Sequence, residues 1–154
     1  MLKYFNYDIV FQEIPSEITL AVNLSLCPNR CKGCHSPWLW TDKGEILDKN
    51  AVDNLISLYD DEITCFAIMG GDNSPKEVND LCKYIKEIYP TIKVAWYSGK
   101  DEIAKEIEIQ NFDYIKIGAY KEEFGSLKSR TTNQRLYKIN SNSELEDITQ
   151  KFWR

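Results

Sequence analysis

From residue 17 onward, short β-branched runs alternate with stretches whose apolar residues recur at helical spacing, and this alternation narrows the available folds most. EITLAVNLSL (17–26) alternates polar and apolar side chains and predicts a strand. ITCFAIMGG (63–71) is a continuous apolar run closed by two glycines, the pattern of a strand buried on both faces. IKVAWYSG (92–99), FDYIKIGAY (112–120) and RLYKIN (135–140) predict three more strands. Between them, DKNAVDNLISLYDD (48–61) places apolar residues at 52, 55, 56 and 59, with Asp48 as N-cap. SPKEVNDLCKYIKEIYP (74–90) offers Ser74 as cap, Pro75 at the first helical position and Glu77 three residues after the cap. Its positions 78, 81, 82, 85 and 88 form one apolar face. DEIAKEIEI (101–109) predicts a short helix, and SELEDITQKFW (143–153) is ambiguous.

Such alternation predicts an α/β fold whose parallel strands are joined by right-handed crossovers. No repeat, low-complexity tract or linker divides it, so one domain is expected over residues 1–154. Ligands in parallel sheets gather at the carboxyl ends of the strands. Three segments fall there: the cysteines after residue 26, Gly70-Gly71-Asp72, and Tyr97-Ser98-Gly99.

The balance of 19 basic and 24 acidic residues gives a net charge of −5, which argues against a nucleic-acid binder. No apolar run approaches the roughly 18 residues of a membrane span, and the polar start MLKYFNYDIVFQEIP makes the cytoplasm the expected compartment. Against that background five cysteines are unusual. An odd number without an export signal disfavours a disulfide framework and favours metal or thiol chemistry.

CPNRCKGCH sets Cys27, Cys31 and Cys34 in a Cys-x3-Cys-x2-Cys pattern followed at once by His35. Cys31 to His35 match a haem-attachment pattern, but that chemistry belongs outside the cytoplasm and leaves Cys27 unused. Three thiolates with His35 could hold zinc, although adjacent ligands close a tetrahedron awkwardly. The spacing favours a [4Fe–4S] cluster held by three cysteines, with one iron open to an outside ligand.

This spacing resembles that of the radical S-adenosylmethionine superfamily. MGGDNS (69–74) is similar to that superfamily's Gly-Gly-Glu stretch, with Asp72 in place of the glutamate. CPNRCKGCHSPWLW, VAWYSG and RTTNQRLY (130–137) together resemble the activating proteins of anaerobic ribonucleoside-triphosphate reductases, over about residues 20–140. The resemblance implies an incomplete, TIM-like βα barrel with a mostly parallel sheet. It implies an oxidoreductase that cleaves S-adenosylmethionine reductively to a 5′-deoxyadenosyl radical. That radical takes a hydrogen atom from one glycine of the reductase large subunit. An electron donor such as flavodoxin or ferredoxin is implied as well, whereas no nucleic acid or membrane is expected. Cys27, Cys31 and Cys34 would bind the cluster, Gly33 and His35 would line the adenine, and Gly70, Gly71, Asp72 and Ser98 would hold the cofactor. The short chain fits a macromolecular substrate whose own loop enters the cleft. A pyruvate formate-lyase type activase and a non-catalytic zinc module are the alternatives.

Two stretches depart from the family pattern. Lys116-Ile117-Gly118 stands where relatives often have Val-Asp-Gly, and Thr131-Thr132-Asn133-Gln134 replaces Ser-Ser-Asn-Gln. The threonine loop and Arg135 either contact the reductase or stabilise the last strand. Cys65 and Cys82, mid-strand and on a helix's apolar face, are expected in the core. Trp38 and Trp40 would shield the cluster or simply pack, and the tail KFWR (151–154) would pack on the body or meet a partner.

Overall fold

Central strands buried on both faces build this protein, and a computed structural model describes it over residues 2–24, 44–59 and 61–153. Cys27, Cys31, Gly33, Cys34, His35, Trp38 and Trp40 lie outside the described residues. The chain order is β1 (Lys3–Val10), β2 (Thr19–Leu24), β3 (Glu45–Ile46), α1 (Lys49–Leu58), β4 (Cys65–Met69), α2 (Pro75–Ile88), β5 (Lys93–Tyr97), β6 (Tyr114–Ile117), β7 (Arg135–Ile139) and β8 (Leu145–Asp147). All eight strands join one sheet in the order β3-β1-β2-β4-β5-β6-β7-β8.

This architecture corrects the expected TIM-like partial barrel. Parallel pairing is confined to β2–β4, β4–β5 and β5–β6, while β1–β2, β1–β3, β6–β7 and β7–β8 are antiparallel. Among the described residues there are two α-helices, too few to wrap a barrel, and β3 and β8 stand at opposite edges of the sheet. The expected helix over 101–109 is absent; turns lead into a 3-10 turn at Ile109–Asn111. Asn79 of α2 explains part of this. Its Oδ1 accepts the Glu108 backbone N–H at 2.8 Å, diverting a donor that a helix would spend on its own carbonyls. Ile107 is nevertheless buried in the core, so the apolar spacing marked packing rather than helix.

Successive residues of each strand serve opposite faces of the sheet. Phe66, Ile68, Val94, Trp96 and Ile115 pack with Val52, Leu55 and Ile56 of α1 and Val78, Leu81, Cys82 and Ile85 of α2. Their neighbours Cys65, Ala67, Ala95 and Tyr114 face the other way and pack with Ile14, Leu136 and Ile148. The helices thus cover one face, and the segment before β2 with the C-terminal 3-10 turn Thr149–Phe152 covers part of the other. Cys65 and Cys82 are core residues, and burial pushes both thiols well up from their ordinary range.

Local chemistry fixes the helices. Asp48 caps α1 by accepting the Ala51 N–H at 2.9 Å, a contact typically worth about 1 kcal/mol. Tyr84 and Tyr89 both donate to the Asp53 carboxylate, tying α2 to α1. At α2 the Ser74–Glu77 spacing serves a different contact, since Glu77 Oε2 accepts the Leu2 N–H at 2.8 Å.

The amino-terminal ends of the parallel strands meet at a buried carboxylate. Glu17 accepts hydrogen bonds from Thr64 Oγ1 at 2.7 Å, Tyr114 OH at 2.8 Å and Lys93 Nζ at 3.0 Å. Burial alone would raise this carboxyl group, but the three donors outweigh burial and hold it below its ordinary range. At the other end of the chain, Trp153 Nε1 donates to Leu127 O at 3.1 Å and Phe152 packs on the second face, so this tail packs on the body. Among the described residues no helix is long and apolar enough to cross a membrane.

Candidate functional site

The carboxyl ends of β4, β5 and β6 are stitched into one edge. β4 leaves the sheet through Gly70 and Gly71, both at positive φ (110° and 90°), a conformation that side-chain-bearing residues rarely adopt. A Cβ on Gly71 would lie 2.7 Å from Val78 Cγ2 and 3.0 Å from Leu24 Cδ1. The second glycine therefore lets the chain turn tightly against α2 and the end of β2. Gly70 is held by the neighbouring strand: its N–H donates to Tyr97 O at 2.9 Å, and its carbonyl accepts from Trp96 Nε1 at 2.6 Å.

Asp72 follows and closes the edge. Its Oδ1 accepts the Ser98 hydroxyl at 2.5 Å and its Oδ2 accepts the Gly99 N–H at 2.8 Å. Ser98, 1% exposed, also accepts the Lys100 N–H at 3.1 Å and donates its own N–H to Lys116 O at 2.8 Å. The sequence-predicted residues Gly70, Gly71, Asp72 and Ser98 are thus brought together.

Lys116 belongs to this edge too, and sequence reading noted it only as a departure from a family pattern. Its buried Nζ donates to Gly118 O at 2.8 Å and Ser98 O at 3.2 Å, and lies 5.6 Å from the centre of the Tyr97 ring. A lysine inside the otherwise apolar YIKI strand was the available signal. The threonine loop bonds inward to the same edge. Gln134 Nε2 donates to Gly118 O at 3.2 Å and Asn133 Nδ2 to Ala119 O at 3.0 Å, while Thr131 Oγ1 donates to Phe124 O at 2.7 Å on the exposed side of the loop. On the face away from the helices a cavity of about 560 Å³ opens beside the edge, with Met69, Tyr97, Lys116 and Gln134 in its wall.

Among the described residues no group of three or more His, Cys, Asp or Glu side chains is placed to hold a metal ion. Cys65 and Cys82 face opposite sides of the sheet with protonated thiols. A sequence profile of the 4Fe-4S single cluster domain matches residues 18–142. The chain belongs to this iron–sulfur family. The match runs from β2 through β7, so the 4Fe-4S single cluster domain includes both the stitched edge and the three-cysteine segment. No curated protein and no solved structure matches the chain.

The domain's chemistry and its donor set agree. A 4Fe-4S cluster is held by thiolates, and besides the buried Cys65 and Cys82 the sequence offers Cys27, Cys31 and Cys34, which lie outside the described residues. They begin three residues after Leu24, whose side chain lies against Gly70 and Gly71.

Proposed function

We propose that this 4Fe-4S domain is a radical S-adenosylmethionine enzyme that installs a glycyl radical on an anaerobic ribonucleoside-triphosphate reductase. One observation supports the reading: the Asp72–Ser98 clasp shares one edge of the sheet with the end of β2, after which the sequence carries three clustered cysteines. In the proposal Cys27, Cys31 and Cys34 hold the cluster. When bound, such a cluster supplies a low-potential electron and one iron open to the amino and carboxylate groups of S-adenosylmethionine.

The chain's own groups then bind and orient. The Asp72 carboxylate, already fixed by Ser98 and Gly99, accepts from the cofactor's ammonium without first having to be ordered. Gly70 and Gly71 keep the turn free of side chains, and Gly33 with His35 lines the adenine through backbone groups. The buried Lys116 ammonium fixes the ends of β5 and β6 under the site. The reductase large subunit presents its glycine-bearing loop, and a flavodoxin or ferredoxin supplies the electron in the cytoplasm.

Anaerobic reconstitution with iron and sulfide tests the first half. Broad visible absorption with about four irons per chain is expected; a colourless protein holding one zinc overturns it. For the second half, reduced protein and S-adenosylmethionine are mixed with the reductase or with a pyruvate formate-lyase type enzyme. A glycyl radical signal from the reductase, lost in Cys27→Ala, is the expected result; a signal from the lyase alone overturns the choice of partner.

A further inference from the structure

The cavity beside the strand-end edge continues outward. A second cavity of about 610 Å³ adjoins it, and the two share Gln12, Lys128 and Phe152 in their walls. Pro15 and Phe11, the latter 65% exposed, line the outer lobe, while Met69 and Tyr97 close the inner one. Of the charged residues lining both lobes, three are lysines (116, 128 and 151) and one is acidic, Glu13. A chain of net charge −5 thus sets Lys128 and Lys151 along one groove whose inner lobe is mainly apolar and whose outer lobe is mixed.

We propose that this groove docks an extended polypeptide segment of a partner protein that carries carboxylate side chains beside apolar ones. The inference rests on the activase reading for the partner's identity, but the groove's chemistry is independent of it. Phe11, Pro15 and Phe152 offer apolar surface to such a segment, and Lys128 and Lys151 at the rim meet its carboxylates. Lys128 reaches Gln12 Oε1 at 2.9 Å, which holds its ammonium at the junction of the two lobes. The two-lobed shape suits a chain entering from outside, because the inner lobe ends at Met69 and Tyr97, directly before Gly70 and Ser98. Charge at the rim acts on encounter and register more than on the chemistry, so docking and cofactor cleavage separate experimentally.

The test uses the reconstituted full chain with dithionite as reductant, which removes any protein electron donor from the assay. In K128E/K151E, release of methionine and 5′-deoxyadenosine without partner should match the unaltered protein. Affinity for the reductase should fall about tenfold or more and lose most of its salt dependence. Affinity within twofold of the unaltered protein overturns the proposal, whereas absence of cofactor cleavage in the unaltered protein overturns the activase reading instead. In that second case the groove is read directly by fluorescence anisotropy, with a labelled Glu-Phe-Glu-Gly-Phe-Glu peptide and its lysine counterpart. Preference for the glutamate peptide, abolished in K128E/K151E, is expected; equal binding of both peptides overturns the groove.

Discussion

The Asp72 carboxylate at the exit of β4 accepts the Ser98 hydroxyl at the exit of β5 at 2.5 Å, and its second oxygen takes the next backbone N–H at 2.8 Å. One side chain thereby holds two strand-end loops at a fixed spacing. Asp72→Ala would leave the buried Ser98 hydroxyl and the Gly99 N–H without that acceptor, at about 1–3 kcal/mol of unfolding free energy. Asp72→Asn should lose less. Urea denaturation of both variants, with S-adenosylmethionine binding measured alongside, checks this; unchanged cofactor affinity in Asp72→Ala would remove the carboxylate from the site.

The five cysteines should divide sharply. Cys27→Ala, Cys31→Ala and Cys34→Ala are each expected to abolish the visible absorption of the reconstituted protein. Cys65→Ala and Cys82→Ala should keep full iron content, since both thiols are buried and burial favours their protonated form. Their cost is packing, about 1–3 kcal/mol. Iron analysis and thermal melts on the five variants separate the two groups.

Glu17 gives stability a dependence on acid. Its folded carboxyl group titrates below its unfolded value, so the folded state holds fewer protons there than the unfolded chain does. The contribution is present in full above the unfolded carboxyl value of roughly 4.3 and drains away as pH falls through the lower folded value. Glu17→Gln should therefore be less stable than the unaltered protein at pH 7, with the gap narrowing below about pH 4. Denaturant titrations across that range decide it, and a gap that stays constant with pH would contradict the assignment.

The two glycines should respond differently to alanine. At Gly70 a Cβ meets Leu24 Cβ at 3.5 Å, an ordinary contact, so Gly70→Ala suffers mainly the backbone strain of about 1–2 kcal/mol. At Gly71 the same strain is joined by the 2.7 Å approach to Val78 Cγ2, and overpacking adds about 1–3 kcal/mol. Gly71→Ala combined with Val78→Ala should recover part of that second loss. Thermal melts of the two single variants and the pair test the ranking.

Sequence periodicity located the interior of this fold and misjudged its rim. Predicted strands at 17–26, 63–71, 92–99, 112–120 and 135–140 contain β2, β4, β5, β6 and β7, because the first four carry largely buried stretches and RLYKI alternates buried Leu136 and Ile139 with more exposed neighbours. Asp48 and Pro75 likewise marked the starts of α1 and α2. β1 escaped notice because the middle of KYFNYDIV is exposed and bears no one-sided pattern. The barrel failed where one contact, Asn79 to Glu108, overrides local helix propensity, and where β6 returns through a loop to an antiparallel β7. That Gly70, Gly71, Asp72 and Ser98 gather at one strand-end edge was legible because short motifs after strands carry their own turn chemistry. Lys116 was passed over although a lysine inside the apolar YIKI strand was a signal, because the Ser98 and Gly118 carbonyls that receive it cannot be read from residue identity.

The Glu17 cluster and the glycine turns lie at opposite ends of the same parallel strands, and this gives the sheet a direction in which it opens. Amide protons of Leu20, Phe66 and Val94, next to the ionised knot, should exchange with solvent slowly and together, as a single late-opening unit. Those of Gly70 and Gly99 depend on Tyr97 O and on one carboxylate, so the far end can breathe while the near end stays shut. The strands are tied at both ends by different means, an ionised knot of side chains at one and a clasp between two strand-end loops at the other. Loss of Asp72 should therefore loosen the second end without loosening the first.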